Sequence, residues 1–163
     1  MSTLADLWNE EENWVASVVA VLAAGGTSVP TANILPAQSV SYFTTPRIEV
    51  DVEEVGQASD QMAYADDEWY FSHRYASLRI DVVTNRVSET YQDHGEIRGR
   101  VRYLMSRQAQ LLTAPAVTWY QTLDVNETGT STGVRDPEQN REDITSFRYR
   151  IEYGILPAVV PTV

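Results

Sequence analysis

Proton chemistry near neutral pH falls most naturally to histidine, and this chain has two, His73 and His94. Asp93 precedes His94 directly, so on a helix the two side chains point about 100° apart and do not make a ready acid-base pair. His73 falls within a strand pattern, with its ring on the Tyr75 face. Both read as satisfied surface or interface histidines. No His-x-x-x-His, cysteine or clustered Asp-x-Asp pattern is present to hold a metal. Gly25-Gly26 and Gly129 to Gly133 lack the following Lys and the strand-to-helix context of a phosphate loop, and no serine sits in a nucleophile elbow. Asp66-Asp67-Glu68 is a carboxylate cluster of the kind that an acidic chain yields by chance. No catalytic, cofactor-binding or metal-binding residue is therefore assigned.

The aromatics Trp69, Tyr70, Phe71 and Tyr75, with Trp119 and Tyr120 further on, have the composition of a stacking platform for bases or sugars. With no lysine and with acids alongside, core and subunit-interface packing is the simpler reading. The chain carries 12 basic residues, all arginine, against 23 carboxylates, for a net charge of -11. That balance argues against a generic duplex-binding surface. Arginine without lysine fits either a biased source genome or interfaces that favour planar, bidentate pairing.

Charge is unevenly placed. Ile48 to Glu68 holds Glu49, Asp51, Glu53, Glu54, Asp60, Asp66, Asp67 and Glu68 with no base, whereas Arg74 to Arg107 holds seven arginines against four acids. Two differently charged solvated faces account for this, and so does a head-to-tail ring in which acidic and basic flanks meet. Absence of cysteine excludes disulfides and leaves the compartment open. The longest apolar run, Trp14 to Ala24, is about half of a bilayer span and follows three acids, so no membrane segment is expected.

The 163 residues fit one domain, 1–163. Thr3 to Ala24 has the apolar spacing of a helix, with a Thr3–Asp6 capping box and a Gly25-Gly26 stop. A Pro-rich connector leads to a hairpin over 47–83, whose acidic stretch Glu54 to Glu68 reads as a loop. Ile48, Val50 and Val52 alternate with Glu49, Asp51 and Glu53, outward acids that either line a pore or keep an edge soluble. Ala76, Leu78, Ile80 and Val82 alternate with Tyr75, Ser77, Arg79 and Asp81.

A central helix is expected over 88–112, capped by Ser88 and carrying an Ile97, Val101, Leu104, Gln108, Leu111 stripe. A second hairpin spans 117–156. Its first strand places Val117, Trp119, Gln121, Leu123 and Val125 on one face, and the polar stretch Asn126 to Glu142 reads as a long loop. Residues 157–163 form an extended C-terminal arm. The expected fold is α+β, an antiparallel or mixed sheet of about four main strands with the N-terminal and central helices packed on one face.

This order resembles the tail terminator, or tail completion, proteins of long-tailed bacteriophages. The matching segments are the N-terminal helix, TTPRIEVDVEEV, YASLRIDVV, HGEIRGRVRYLMSRQ, AVTWYQTLDV, a polar loop and ITSFRYRIEYGI. The resemblance implies a virion protein, assembled in the host cytoplasm, that forms a six-fold ring at the head-proximal end of the tail. Its partners would be its own copies, the tail tube protein and a neck or connector protein. DNA would be transiting cargo, with no cofactor and no membrane. In such a ring, charge placement points to inter-subunit or partner contacts through Arg98, Arg102 and Arg107 and the acids Glu49, Asp51, Glu53, Asp66 and Asp67, with the arm residues Pro157, Val159 and Val160 reaching a neighbour. The alternative readings are another phage neck, head-completion or tube-associated subunit using the same type of domain, or a non-viral α+β oligomeric binding module.

Overall fold

Two helices lie on one face of a five-stranded sheet, in a computed structural model that describes residues 9–37, 44–59, 64–65, 68–69, 73–107, 120–135 and 141–155. The expected helix start at Thr3 with its Thr3–Asp6 box, the carboxylates Asp66 and Asp67, the end of the central helix at 108–112, Val117 and Trp119, and the arm 157–163 lie outside the described residues.

Helix α1 spans Glu10–Ala24, with Glu10, Glu11 and Glu12 in the first turn, where the macrodipole favours acids. It ends at Gly25, and Gly26 follows with φ of +71°, the left-handed geometry that glycine adopts without penalty. Gly25 also lets the helix end approach its neighbour, since a Cβ there would run into the Leu104 methyls.

Strand β1 (Ile34–Pro36) lies parallel to β2 (Arg47–Ser59), and the cis Thr45–Pro46 peptide immediately precedes β2. A two-residue ribbon, β3 (Tyr64–Ala65) with β4 (Glu68–Trp69), stands apart from the main sheet. Strand β5 (His73–Asn85) pairs antiparallel with β2, Ile48 facing Val82 and Val50 facing Ile80. Helix α2 (Tyr91–Ser106) follows, and then the hairpin β6 (Tyr120–Arg135) and β7 (Glu142–Ile155). The sheet order is β1-β2-β5-β7-β6, so β7 returns into the interior and β6 forms an edge.

Alternation in the sequence translates directly into burial. Ile48, Val50, Leu78, Ile80, Val82, Phe147, Tyr149, Ile151 and Tyr153 are buried from the sheet, and Trp14, Val18, Leu22, Ile97 and Val101 from the helices. Each such aliphatic or aromatic side chain contributes roughly 1.5–3 kcal/mol by leaving water.

Four details differ from the sequence-based expectation. The cap of α2 is Thr90, not Ser88: its hydroxyl accepts from the Asp93 backbone N–H at 3.1 Å, and the Asp93 carboxylate accepts from the Thr90 N–H at 2.8 Å. The Glu54 to Glu68 stretch is not one loop, because β2 runs on to Ser59 and keeps pairing through irregularities after Val52 and Gln57. Asn126 to Glu142 is also largely strand, since Asn126 to Arg135 continues β6. Polarity there marks an edge strand with little to bury, while Thr130, Thr132 and Val134 supply β-branched backbone preference. Finally, Tyr120 and Thr122 are buried on β6, the opposite parity to that expected, and Leu123 is exposed. The bulge between Thr122 and Asp124 then returns Val125 to the core side.

Candidate interaction surfaces

The face of the sheet away from the helices is a lattice of opposite charges. Register places Arg79 beside Asp51 on one side and opposite Arg148 on the other. Two arginines directly opposite would repel, and carboxylates surround them: Arg79 lies 3.3 Å from Asp51 and Glu53 and 3.2 Å from Asp81, and Arg148 lies 3.4 Å from Glu53. Arg150 reaches Glu152 at 3.2 Å and stacks 4.1 Å over the Tyr75 ring, and His73 lies 3.5 Å from Glu152. The folded chain thus brings Asp51 and Glu53 of the acidic stretch onto Arg79 of the basic one. Half-exposed pairs of this type contribute little stability each, and they set three arginines, Arg79, Arg148 and Arg150, against the four carboxylates Asp51, Glu53, Asp81 and Glu152.

At one end of the sheet the charges are buried. Arg47 is 1% exposed and bonds Glu142 in bidentate fashion, Nη1 to Oε1 at 3.0 Å and Nη2 to Oε2 at 3.2 Å. Its Nε donates to Glu49 at 2.6 Å, and Arg135 donates to the Glu142 carboxylate at 2.8 Å and 3.1 Å. Burial pushes the Glu142 carboxyl up, but the bonds from Arg47 and Arg135 outweigh it and hold the group below its ordinary value. Glu49 is therefore occupied inside the fold. This cluster ties β2, β7 and β6 together and was not legible as a unit in the sequence.

A second buried carboxylate, Glu10, joins α1 to the sheet. It accepts from Arg74 at 2.6 Å and from the Tyr153 hydroxyl at 2.5 Å. Beside it Trp14 stacks on Tyr120 with ring centroids 5.6 Å apart and packs against Tyr153 at 4.9 Å. Burial, with the hydrogen bond to Glu10 second and its charge third, pushes the Tyr153 hydroxyl far up, and burial pushes Tyr120 up to about 12. The aromatics here form core, and Glu10 has a structural task that its position in an acidic first turn concealed.

His94 is also buried, contrary to the surface reading. Nδ1 lies 2.7 Å from the Thr84 hydroxyl and Nε2 lies 2.8 Å from the Thr145 hydroxyl, so α2 is pinned to β5 and β7 by one ring. Hydroxyls serve as donor or acceptor, so neutral imidazole is satisfied in either tautomer. Burial and the nearby Arg98 lower the His94 pKa, against an opposing pull from Asp143. With the folded value below the unfolded one, the stability of the neutral form is complete above about 6.5 and is lost as pH falls through the folded value. Denaturant unfolding between pH 8 and pH 5 is expected to show this loss, with a limiting slope of about 1.4 kcal/mol per pH unit for one proton. His94→Gln, which keeps both hydrogen-bonding functions without the titration, is expected to flatten that slope, and an unchanged slope would assign it to other groups.

Next to His94 a groove of about 300 Å³ runs between α2 and the β6–β7 hairpin, lined by Tyr91, Arg98, Thr132, Val134 and the paired Arg86 and Asp143. Nine of the twelve arginines make ion pairs to carboxylates within the chain; Arg98, Arg107 and Arg141 make none among the described residues. Arg98 lines this groove, and the Arg141 backbone accepts from the Arg86 N–H at its end. Of the five large exposed hydrophobics among the described residues, Tyr91 at 82% and Val134 at 56% line this groove and Val87 at 84% follows Arg86 of its lining, while Tyr103 and Leu123 do not line it. Arg102 instead bonds both Glu127 oxygens, at 2.9 Å and 2.8 Å, and fastens α2 to β6; Arg107 lies 5.1 Å over the Tyr103 ring.

At the opposite edge of the sheet a second groove, of about 340 Å³, lies between α1 and the β1–β2 edge. Its apolar wall is Val15, Ala16, Pro36, Val50 and Val52, and α1 brings Glu11 and Glu12 to its lining. No group of acids, histidines or cysteines fit to hold a metal ion occurs among the described residues, and no described helix is long and apolar enough to cross a membrane.

No family model and no curated protein matches the chain. Among solved structures, a chain from the virion of a native gene transfer agent (GTA) particle is similar at 11% identity and a TM-score of 0.45, over 83% of this chain and 85% of that chain. A likeness at that level carries no argument about role.

Proposed function

We propose that this chain is a structural subunit of a tailed-phage type virion. In this reading it closes a ring at the head-proximal end of the tail, where it ends tube growth and offers the surface that the neck joins. The observation that carries the protein-assembly part is the composition of the α2 side: Arg98 and Arg141, with no carboxylate partner among the described residues, next to exposed Tyr91, Val87 and Val134, while nine other arginines are ion-paired within the fold. Arginine and tyrosine beside apolar surface are the makings of an interface. The tail assignment rests on the element order that resembles tail terminators. The net charge of -11 fits a ring through which DNA passes without sticking.

Light scattering on the purified protein, alone and mixed with the tail-tube protein of the same phage, tests this. A closed oligomer near six copies, alone or on adding tube, is the expected result. A monomer or dimer indifferent to tube would overturn it.

A further inference from the structure

We propose that the two grooves are the two halves of one head-to-tail contact: the Tyr91, Arg98 and Val134 edge of one copy seats in the α1–β2 groove of the next, with Arg98 facing Glu11 and Glu12. This assignment rests on the ring reading above and supplies its surfaces.

Three features point to a second copy as the occupant. The grooves lie at opposite edges of one sheet, separated by the width of five strands, about 19 Å at the usual spacing. A contact joining opposite edges is heterologous, so it repeats from copy to copy and closes if the rotation allows. The charges also complement each other. Among the described residues Glu11 and Glu12, both exposed, have no arginine partner and Arg98 has no carboxylate partner; Glu12 accepts from Asn9. Finally, each half has apolar surface beside its charge: Tyr91 and Val134 on one side, Val15 and Val52 on the other. Charge sets orientation and encounter rate, and the apolar parts provide burial.

The absence of cysteine makes the test direct, because each introduced thiol is unique. Arg98→Cys protein is mixed with Glu12→Cys protein under mild oxidation, with Ser106→Cys as the control at the exposed end of α2. The expected result is a mixed disulfide between positions 98 and 12 that forms about tenfold faster than the 12–106 pair and faster than either self-pair. Self-paired Arg98→Cys in excess, as an isologous contact gives, or a mixed rate equal to the control, would overturn the proposal.

Charge reversal provides a second arm. Arg98→Glu and Glu11→Arg/Glu12→Arg are each expected to weaken assembly about tenfold, and all three substitutions in one chain to restore it. A wild-type protein that stays monomeric with and without tube defeats the ring reading itself. A ring that survives both reversals unchanged leaves that reading standing and defeats this contact. A ring lost on removing residues 157–163 yet indifferent to the reversals assigns the α1 groove to that segment and overturns the proposal as well.

Discussion

Arg47→Ala is expected to cost about 3–5 kcal/mol of unfolding free energy, among the largest effects available to one polar substitution in this chain. The reason is what remains rather than what is removed. Glu142 is 2% exposed, and without Arg47 it loses two of its four arginine hydrogen bonds in a place that water does not reach. Arg135 stays, but it approaches from the exposed side and satisfies mainly Oε2. Glu49 loses its 2.6 Å donor at the same time. The double change Arg47→Met/Glu142→Leu is expected to recover most of the loss, because removing both charges also removes their desolvation.

Denaturant unfolding at pH 7 measures both variants, and acid titration gives an independent sign. In the wild type the depressed Glu142 pKa contributes stability that is present above about 4.5 and lost as pH falls through the folded value. Arg47→Ala should shrink that acid-dependent part. An Arg47→Ala protein within about 1 kcal/mol of wild type would mean that Glu142 reaches solvent or is protonated.

Arg47 also shows why some of this molecule was readable in sequence and some not. The β5 and β7 faces follow from period-two alternation alone, since Leu78, Ile80, Phe147 and Tyr149 lie inward and Arg79 and Arg148 outward. Arg47 opens β2 and Glu142 opens β7, 95 residues apart, and only the return of β7 beside β5 brings them together. Charged residues are seldom buried unless paired, and a pairing across three strands leaves no local mark. Ser88, two residues before Thr90, has the same capping chemistry, and the Asp three positions after Thr90 is the signal that distinguishes the true cap. His94 fell on the helical stripe one turn before Ile97, so its spacing announced burial that its polarity argued against. Arg98 and Arg102 share one helix face by spacing, yet only the fold separates them, giving Arg102 to Glu127 and leaving Arg98 at a groove.

Trp14→Ala is expected to match Arg47→Ala in size, about 3–5 kcal/mol, by a different route. Trp14 is 1% exposed and is the piece of α1 that reaches across to both strands of the β6–β7 hairpin, through Tyr120 and Tyr153. Truncation opens a cavity against two tyrosine rings, and they cannot collapse into it: Tyr153 is held by Glu10 and Tyr120 by Asn13. Trp14→Phe preserves a ring in the stack and is expected to cost about 1–2 kcal/mol. For a chain of this size the alanine variant should melt roughly 10 °C lower. Hydrogen exchange gives the sharper readout. If Trp14 is the anchor of α1, amides of Glu10–Ala24 lose protection first while α2, held separately by His94 and Arg102, keeps it. Equal loss in both helices would instead make the two helices and the sheet one cooperative unit, with Trp14 a core residue like any other. The distinction bears on assembly, because α1 carries Glu11, Glu12 and Val15: a loosened α1 should weaken the 12-to-98 cross-link while leaving the α2 surface that presents Arg98 intact.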